Sequence, residues 1–192
     1  MINSMLVNYH EIHPNVSISI RNTTEVVEQI LLGESDFGIT IGPIKNKNII
    51  SIPLYEDELV LIVQKNSPIA KQKYISFADL PNLKLVMMSN DHPCRKKIDS
   101  HCKEIGVPFQ ILIETSNPSS LIQLIRNNVG VSVTSKIPIE MLGDEDIHWI
   151  PFHEVYKKDT LCLIYRKDKF IGNAGRDFIQ LLNQTIKQLT KK

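Results

Sequence analysis

Three short stretches gather hydroxyl, amide, imidazole and guanidinium groups where an apolar strand gives way to a helix. They are Ser89-Asn90-Asp91-His92-Pro93-Cys94-Arg95, Thr115-Ser116-Asn117-Pro118-Ser119-Ser120 and Thr134-Ser135. A helix start presents unpaired N–H groups and the positive end of the helix dipole, so polar side chains around it suit small anions. On this reading Ser89, Asn90 and His92 face a ligand and Arg95 helps hold its negative group. Thr115, Ser116 and Asn117 add hydroxyl and amide contacts, with Thr134, and Gly42 ahead of Pro43, as further ligand positions. The same residue types also cap helices without binding anything, and an exposed arginine is commonly just solvated.

Residues able to run a reaction are not arranged for one. The six histidines (His10, His13, His92, His101, His148, His153) show neither H-E-x-x-H nor Cys/His metal-ligand spacing. G-x-S-x-G, a phosphate-binding Walker loop and G-x-G-x-x-G are all missing from the sequence. Asp144-Glu145-Asp146 follows Gly143 in a loop and reads as a solvated acidic cluster. No catalytic residue, metal or cofactor is expected. Cys94, Cys102 and Cys162 are an odd number, which fits reduced thiols better than a disulfide framework. Cys94 and Cys102 lie eight apart, about 12 Å along a continuous helix, so pairing them would require that helix to unwind.

The elements that position these stretches follow from apolar spacing. Ile2, Met5, Leu6 and Tyr9 fall on one helical face, and the helix must end before His13-Pro14. Val16, Ile18 and Ile20 alternate with polar residues, which predicts a strand. Thr24 is placed to cap a helix carrying Val26, Val27, Ile30 and Leu31, and Gly33 suits its end. Strands are expected at 37–41, 50–54, 59–63, 83–88, 109–113, 129–134, 147–152 and 161–165. Helices are expected near 77–80, at 94–105, around Leu121–Ile125, and over a last apolar face from Phe178 to Leu189. Strands separated by helices of this length predict an α/β fold with βαβ units and mostly parallel sheets.

Bulk properties narrow the function. With 22 basic against 21 acidic residues the chain has no basic stripe, so it is not expected to grip DNA by itself. No apolar run approaches the roughly 20 residues that cross a bilayer, and the first residues, MINSMLVNYHEIHP, are not a signal peptide. A cytoplasmic protein with no membrane partner is expected.

The order of these elements and the residues at their junctions resemble the effector-binding domain of the LysR-type transcriptional regulators. The similarity runs through Ile12-His13-Pro14-Asn15-Val16, Leu31-Leu32-Gly33-Glu34-Ser35-Asp36-Phe37-Gly38-Ile39 and the segment Pro53 to Val63. It continues through Ser67-Pro68-Ile69-Ala70, Asp79-Leu80 and Gly130-Val131-Ser132-Val133. The resemblance implies two Rossmann-like lobes joined by two crossover strands, a type II periplasmic-binding-protein-like fold, with a small effector in the cleft between them. Lobe I would comprise 1–64 and 158–192, and lobe II 65–157. It also implies a homodimer or tetramer, with the Ile2/Met5/Leu6/Tyr9 and Leu121/Ile122/Ile125 faces as candidate contacts. DNA would be reached only through an N-terminal winged helix-turn-helix that is not in this sequence.

Departures from the family pattern carry expectations too. A family member normally has a first strand of the form Leu-x-Ile-Gly and a Ser/Thr-rich loop before its first helix, whereas here Met1 already lies in that helix. Lobe I is therefore expected to be open at an edge, which invites association. Some relatives carry Ser-Gly-Thr-Arg where His92-Pro93-Cys94-Arg95 stand here, so an imidazole replaces a small hydroxyl donor. Peroxide-sensing relatives keep two cysteines in this region. Cys102 matches that spacing from Arg95, but Cys94 is one place out of register, and a structural role for both is the favoured reading. Two other functions remain to be separated from the regulator: a transporter's solute-binding protein, which shares the two-lobed architecture, and an enzyme on the same scaffold.

Overall fold

The computed structural model describes residues 2–21, 23, 25–154, 156 and 158–189. In chain order the elements are α1 (Ile2–Ile12), α2 (Val26–Leu32), β1 (Gly38–Gly42), β2 (Ile49–Asp57), β3 (Leu59–Gln64), β4 (Leu85–Met88) and α3 (Pro93–Glu104). They continue with β5 (Ile111–Thr115), α4 (Pro118–Arg126), β6 (Ser132–Ser135), α5 (Lys136–Leu142), β7 (Ile147–Pro151), β8 (Asp159–Arg166) and α6 (Asn173–Leu189). The chain divides into two compact units: Met1–Asp57 with Asp159–Lys192, and Glu58–Lys158.

In the first unit β8 lies between β1 and β2 and runs antiparallel to both. Its Cys162 and Ile164 are fully buried against Ile30 of α2 and Ile49 of β2. Gly38 lets α2 come close to the sheet, since a Cβ there would sit 2.5 Å from Val26 Cγ1. Gly33 ends α2 at φ 77, a left-handed conformation that costs glycine little. The expected Thr24 cap lies outside the described residues, as do the Ile2 and Leu189 side chains. Helix α1 buries Met5 and Tyr9 against α6. The Tyr9 hydroxyl donates to the Ala174 carbonyl at 3.1 Å, and its ring meets Phe178 edge-on at 5.6 Å.

The second unit is built on β3, which runs antiparallel to β6 on one side and β7 on the other. All five residues from Leu59 to Val63 are buried, so the strand reads as one apolar run rather than an alternation. Leu59, Leu61 and Val63 pack with Phe77, Leu80, Ile98 and Cys102, whereas Val60 and Ile62 pack with Leu121, Ile125, Ile139 and Ile147. Strand β4 pairs with β5 in parallel across the helix α3, forming a βαβ unit, and a bridge from Leu85 to Val131 ties β4 to the chain just before β6.

Several expectations are corrected. The sheets are not mostly parallel: the only parallel ladder among the described residues is β4 with β5. A helix between two strands does not make them neighbours. The chain returns from the second unit as β8, opposite in sense to both strands it joins. Residues 16–20 form no strand, because alternating apolar residues need both a buried face and a backbone partner. Ile18 is 39% exposed and Ile20 73%. Strand β3, expected with the first lobe, has both its ladder partners in the second unit. Helix α5 was not legible in the sequence, and Thr134 and Ser135 end strand β6 rather than lying beyond it.

Candidate functional site

The parallel pair fixes where the polar stretches go. Met88 and Thr115 are in register, so β4 and β5 reach their carboxyl ends together. The Ser89 N–H extends the pairing one step, donating to the Thr115 carbonyl at 2.9 Å. Each strand then turns into a helix whose first residue is a proline, Pro93 in α3 and Pro118 in α4. Proline suits that place because it has no N–H to leave unpaired and its φ is already helical. Two helix starts thus stand at neighbouring strand ends, and their dipoles favour negative charge there.

Individual side chains fall into three groups. Some are engaged in local capping. Asn117 Oδ1 accepts from the Ser119 N–H at 2.8 Å, and Thr115 Oγ1 accepts from the Asn117 N–H at 3.1 Å. His92 Nδ1 accepts from the Cys94 N–H at 3.3 Å. That leaves the proton of a neutral ring on Nε2, where it can be donated outward. Burial pushes the His92 imidazole below its ordinary pKa, with the Asp91 charge partly opposing this.

A second group stands beside these capping residues. Ser116 is exposed at the α4 start, and Ser89 and Asn90 form the turn before α3. Ser89 Oγ donates to Asp91 Oδ1 at 2.5 Å, and this bond is the largest cause of the lowered Asp91 pKa. Thr134 is half-buried in β6, and the next residue, Ser135, brings that strand against α3 by a 3.9 Å contact from its Oγ to Cys94 Sγ.

The third group is committed elsewhere. Arg95 is only 11% exposed in its side chain and bonds Asp99 at 2.8 Å, Glu114 at 3.0 Å and the Met88 carbonyl at 3.0 Å. Two carboxylates already neutralise it, so it braces α3 against β4 and β5. Gly42 belongs to the first unit, where a Cβ would stand 2.9 Å from Cys162 Sγ, and packing accounts for the glycine.

Sequence reasoning missed a charged cluster at the point where the chain enters and leaves the second unit. Lys136 Nζ lies 3.1 Å from Glu58 and 3.6 Å from Glu140, and sits over the Trp149 ring at 4.3 Å. Lys158 reaches the same Glu58 at 3.0 Å, joining the first and last residues of the unit. Burial alone would raise the Glu58 pKa, but the two lysines outweigh it and hold the carboxyl below its ordinary value. No spacing rule links residues 78 and 100 positions apart, so only the folded chain reveals the cluster.

Among the described residues, no group of three or more His, Cys, Asp or Glu could hold a metal ion. Cys102 is buried in the α3 core, and burial, with a smaller contribution from Asp99, pushes its thiol up to about 11. A low-pKa thiol of the kind that senses oxidants has the opposite setting.

Hydroxyl, amide and imidazole groups thus gather around two neighbouring helix starts. The family model described as the LysR substrate binding domain matches residues 2–187, and the chain belongs to that family. One relative is the uncharacterized HTH-type transcriptional regulator YbhD of Escherichia coli strain K12. It is 26% identical over 176 residues, covering 91% of this chain but 56% of the relative, so the chain spans little more than half its length. Two solved structures share the fold. The effector binding domain of QuiR in complex with shikimate has a TM-score of 0.70 at 21% identity, over 98% of this chain and 91% of that one. The CcmR regulatory domain of Synechocystis PCC6803 in complex with 2-PG has a TM-score of 0.77 at 18% identity, over 97% and 91%. The architecture is thus the mixed α/β, type II periplasmic-binding-like fold of LysR effector-binding domains, a family of ligand-binding rather than catalytic domains.

Proposed function

We propose that this chain is the effector-sensing part of a bacterial LysR-type regulator, and that a small anionic metabolite binds at the carboxyl ends of β4 and β5. The two compact units serve as its two regulatory lobes. The observation that carries the reading is the pair of helix starts launched from one parallel strand pair, where open α/β sheets characteristically take ligands. In the binding state Ser89 turns its one hydroxyl proton from Asp91 to the ligand, Asn90 and Ser116 donate directly, His92 donates through Nε2, and Thr115, Asn117 and Thr134 complete the polar wall. Arg95 braces α3 against β4 and β5 without touching the ligand. The effector acts on transcription by its differential affinity for alternative shapes of the domain.

Membership in a family of transcriptional regulators supports the remaining parts of the proposal. DNA contact falls to a winged helix-turn-helix outside these 192 residues, the working form is a homodimer or tetramer, and the site of action is the cytoplasm. No described helix is long and apolar enough to cross a membrane. The matched relatives are regulators, which favours this reading over a transporter's solute-binding protein.

Calorimetric screening of organic acids, sulfur compounds and amino-acid derivatives tests the proposal. A binder is expected, and Ser89→Ala and Ser116→Ala should each weaken it roughly ten- to hundred-fold, the range for one hydrogen bond to a charged group. A confirmed ligand that binds both variants as tightly as the original chain places the site elsewhere.

A further inference from the structure

Two turns meet at one end of the first unit's sheet. Ile49 of β2 is the partner of Arg166 of β8, so the turn before β2 and the turn after β8 lie side by side. The Lys167 N–H joins them, donating to the Asn48 carbonyl at 2.8 Å. Each turn is also fixed internally. The Asn48 N–H donates to Asn46 Oδ1 at 2.9 Å and the Ile49 N–H to the Asn46 carbonyl at 3.1 Å. In the other turn the Lys169 N–H donates to the Arg166 carbonyl at 3.2 Å.

These turns concentrate positive charge. Lys45, Lys47, Arg166, Lys167 and Lys169 stand there against Asp168 alone, in a chain whose formal charge is only +1. Two of the cations are answered within the protein. Lys169 pairs with Asp36, and Arg166 Nε lies 2.6 Å from Asp168 Oδ1. The Arg166 guanidinium also reaches Gly33, where a Cβ would sit 3.3 Å from it. Gly33 caps the end of α2, and a positive charge is favoured there. Lys47 and Lys167 have no ion pair among the described residues. Both line one open hollow of about 540 Å³, together with Leu31, Asn48, Arg166 and Asp168. Like charges held on joined turns repel each other, and an anion between them removes that repulsion.

We infer that this hollow binds the phosphate dianion of a small phosphomonoester. Its wall sets three positive charges, Lys47, Arg166 and Lys167, against the one negative charge of Asp168. The surplus matches a phosphomonoester, which carries about −1.5 to −2 at neutral pH. A monocarboxylate would leave one cation unanswered. Lysine ammonium groups are compact point charges that suit phosphate oxygens. Lys47 and Lys167 grip the phosphate from the two turns, the Asn48 amide adds a donor, and Leu31 gives the adjoining carbon an apolar surface. Arg166 stays beside Asp168 and contributes through its charge. A nucleic-acid backbone offers the same oxygens, but with one charge on each phosphodiester, and it calls for a stripe of cations rather than a hollow with a carboxylate in its wall. The inference concerns the first unit alone and does not rest on the proposed effector site.

The test follows backbone amide NMR shifts of the 192-residue chain during titration with phenyl phosphate. Saturable shifts are expected at Lys47, Asn48 and Lys167, and inorganic phosphate should reproduce them. Affinity for phenyl phosphate should fall several-fold between about pH 7.5 and about pH 5, as a phosphomonoester takes up its second proton near pH 6. The double variant Lys47→Gln, Lys167→Gln should bind roughly tenfold more weakly or worse. Its circular dichroism should be unchanged, because both side chains are exposed. Four results overturn the inference: no saturable shift at these residues, equal shifts from acetate at matched ionic strength, unchanged affinity in the double variant, or a stronger response to a random-sequence DNA duplex than to phenyl phosphate at physiological salt. The last would make the two turns a nucleic-acid surface instead.

Discussion

Gly130→Ala is expected to loosen the second unit by an amount that the backbone geometry sets. The added Cβ would fall on the Lys84 carbonyl oxygen and within 3.0 Å of Val86 Cγ2. Backbone, unlike the end of a flexible side chain, has little room to yield. That carbonyl also accepts the Val131 N–H at 2.9 Å, and the Val131 carbonyl accepts the Val86 N–H at 2.8 Å, so the clash strikes the two bonds that hold β4 beside the start of β6. Overpacking of this kind costs about 1–3 kcal/mol, and each weakened backbone bond adds on the order of 1 kcal/mol. A loss of about 3 kcal/mol follows. Gly106→Ala is the control: its Cβ meets nothing within 4 Å, and only its φ of +70 is unfavourable, a strain of about 1 kcal/mol. Trp149 is the sole tryptophan and lies in β7, so its fluorescence during urea unfolding reports the unit in question. If Gly130→Ala destabilises no more than Gly106→Ala, the close approach at Lys84 is not what requires glycine.

Two further outcomes come from the titratable groups. His92 has a folded pKa held below its unfolded value of about 6.5, so the unfolded chain binds the extra proton first. Stability is complete above that value and falls as pH drops through it. His92→Asn, which keeps a capping side chain, should flatten the slope of urea midpoints between about pH 8 and about pH 5, and an unchanged slope would count against the assignment. Iodoacetamide should modify half-buried Cys94 well before Cys102, whose thiol combines burial with a pKa of about 11. Equal rates in the folded protein would contradict the burial.

How much could be read in advance varies from element to element. The runs Leu59–Val63 and Leu161–Tyr165 are apolar enough to be buried strands in any arrangement. Helix α3, expected from residue 94, begins at Pro93, whereas α4, expected around Leu121–Ile125, begins three residues earlier at Pro118. The junction residues from Leu31 to Ile39 and from Pro53 to Ala70 carried the family resemblance without coordinates. Val16, Ile18 and Ile20 misled, because alternation signals a strand only when a neighbour supplies the backbone partner. Arg95 misled in the same way: its charge was visible, but not that Asp99 and Glu114 would both close on it.

The sequence by itself determined the run of apolar segments, the helix starts and the polar residues that stand at them, since each depends on neighbours within about one turn or one strand. Tertiary structure alone decided the rest. It placed β8 between β1 and β2, set Met88 beside Thr115 so that two helix starts share one edge, and drew Glu58, Lys136 and Lys158 into a single cluster. The physical reason is range. Propensity and capping act over a few residues, whereas strand order and charge pairing are settled by which distant surfaces bury each other best, and no local pattern encodes that choice.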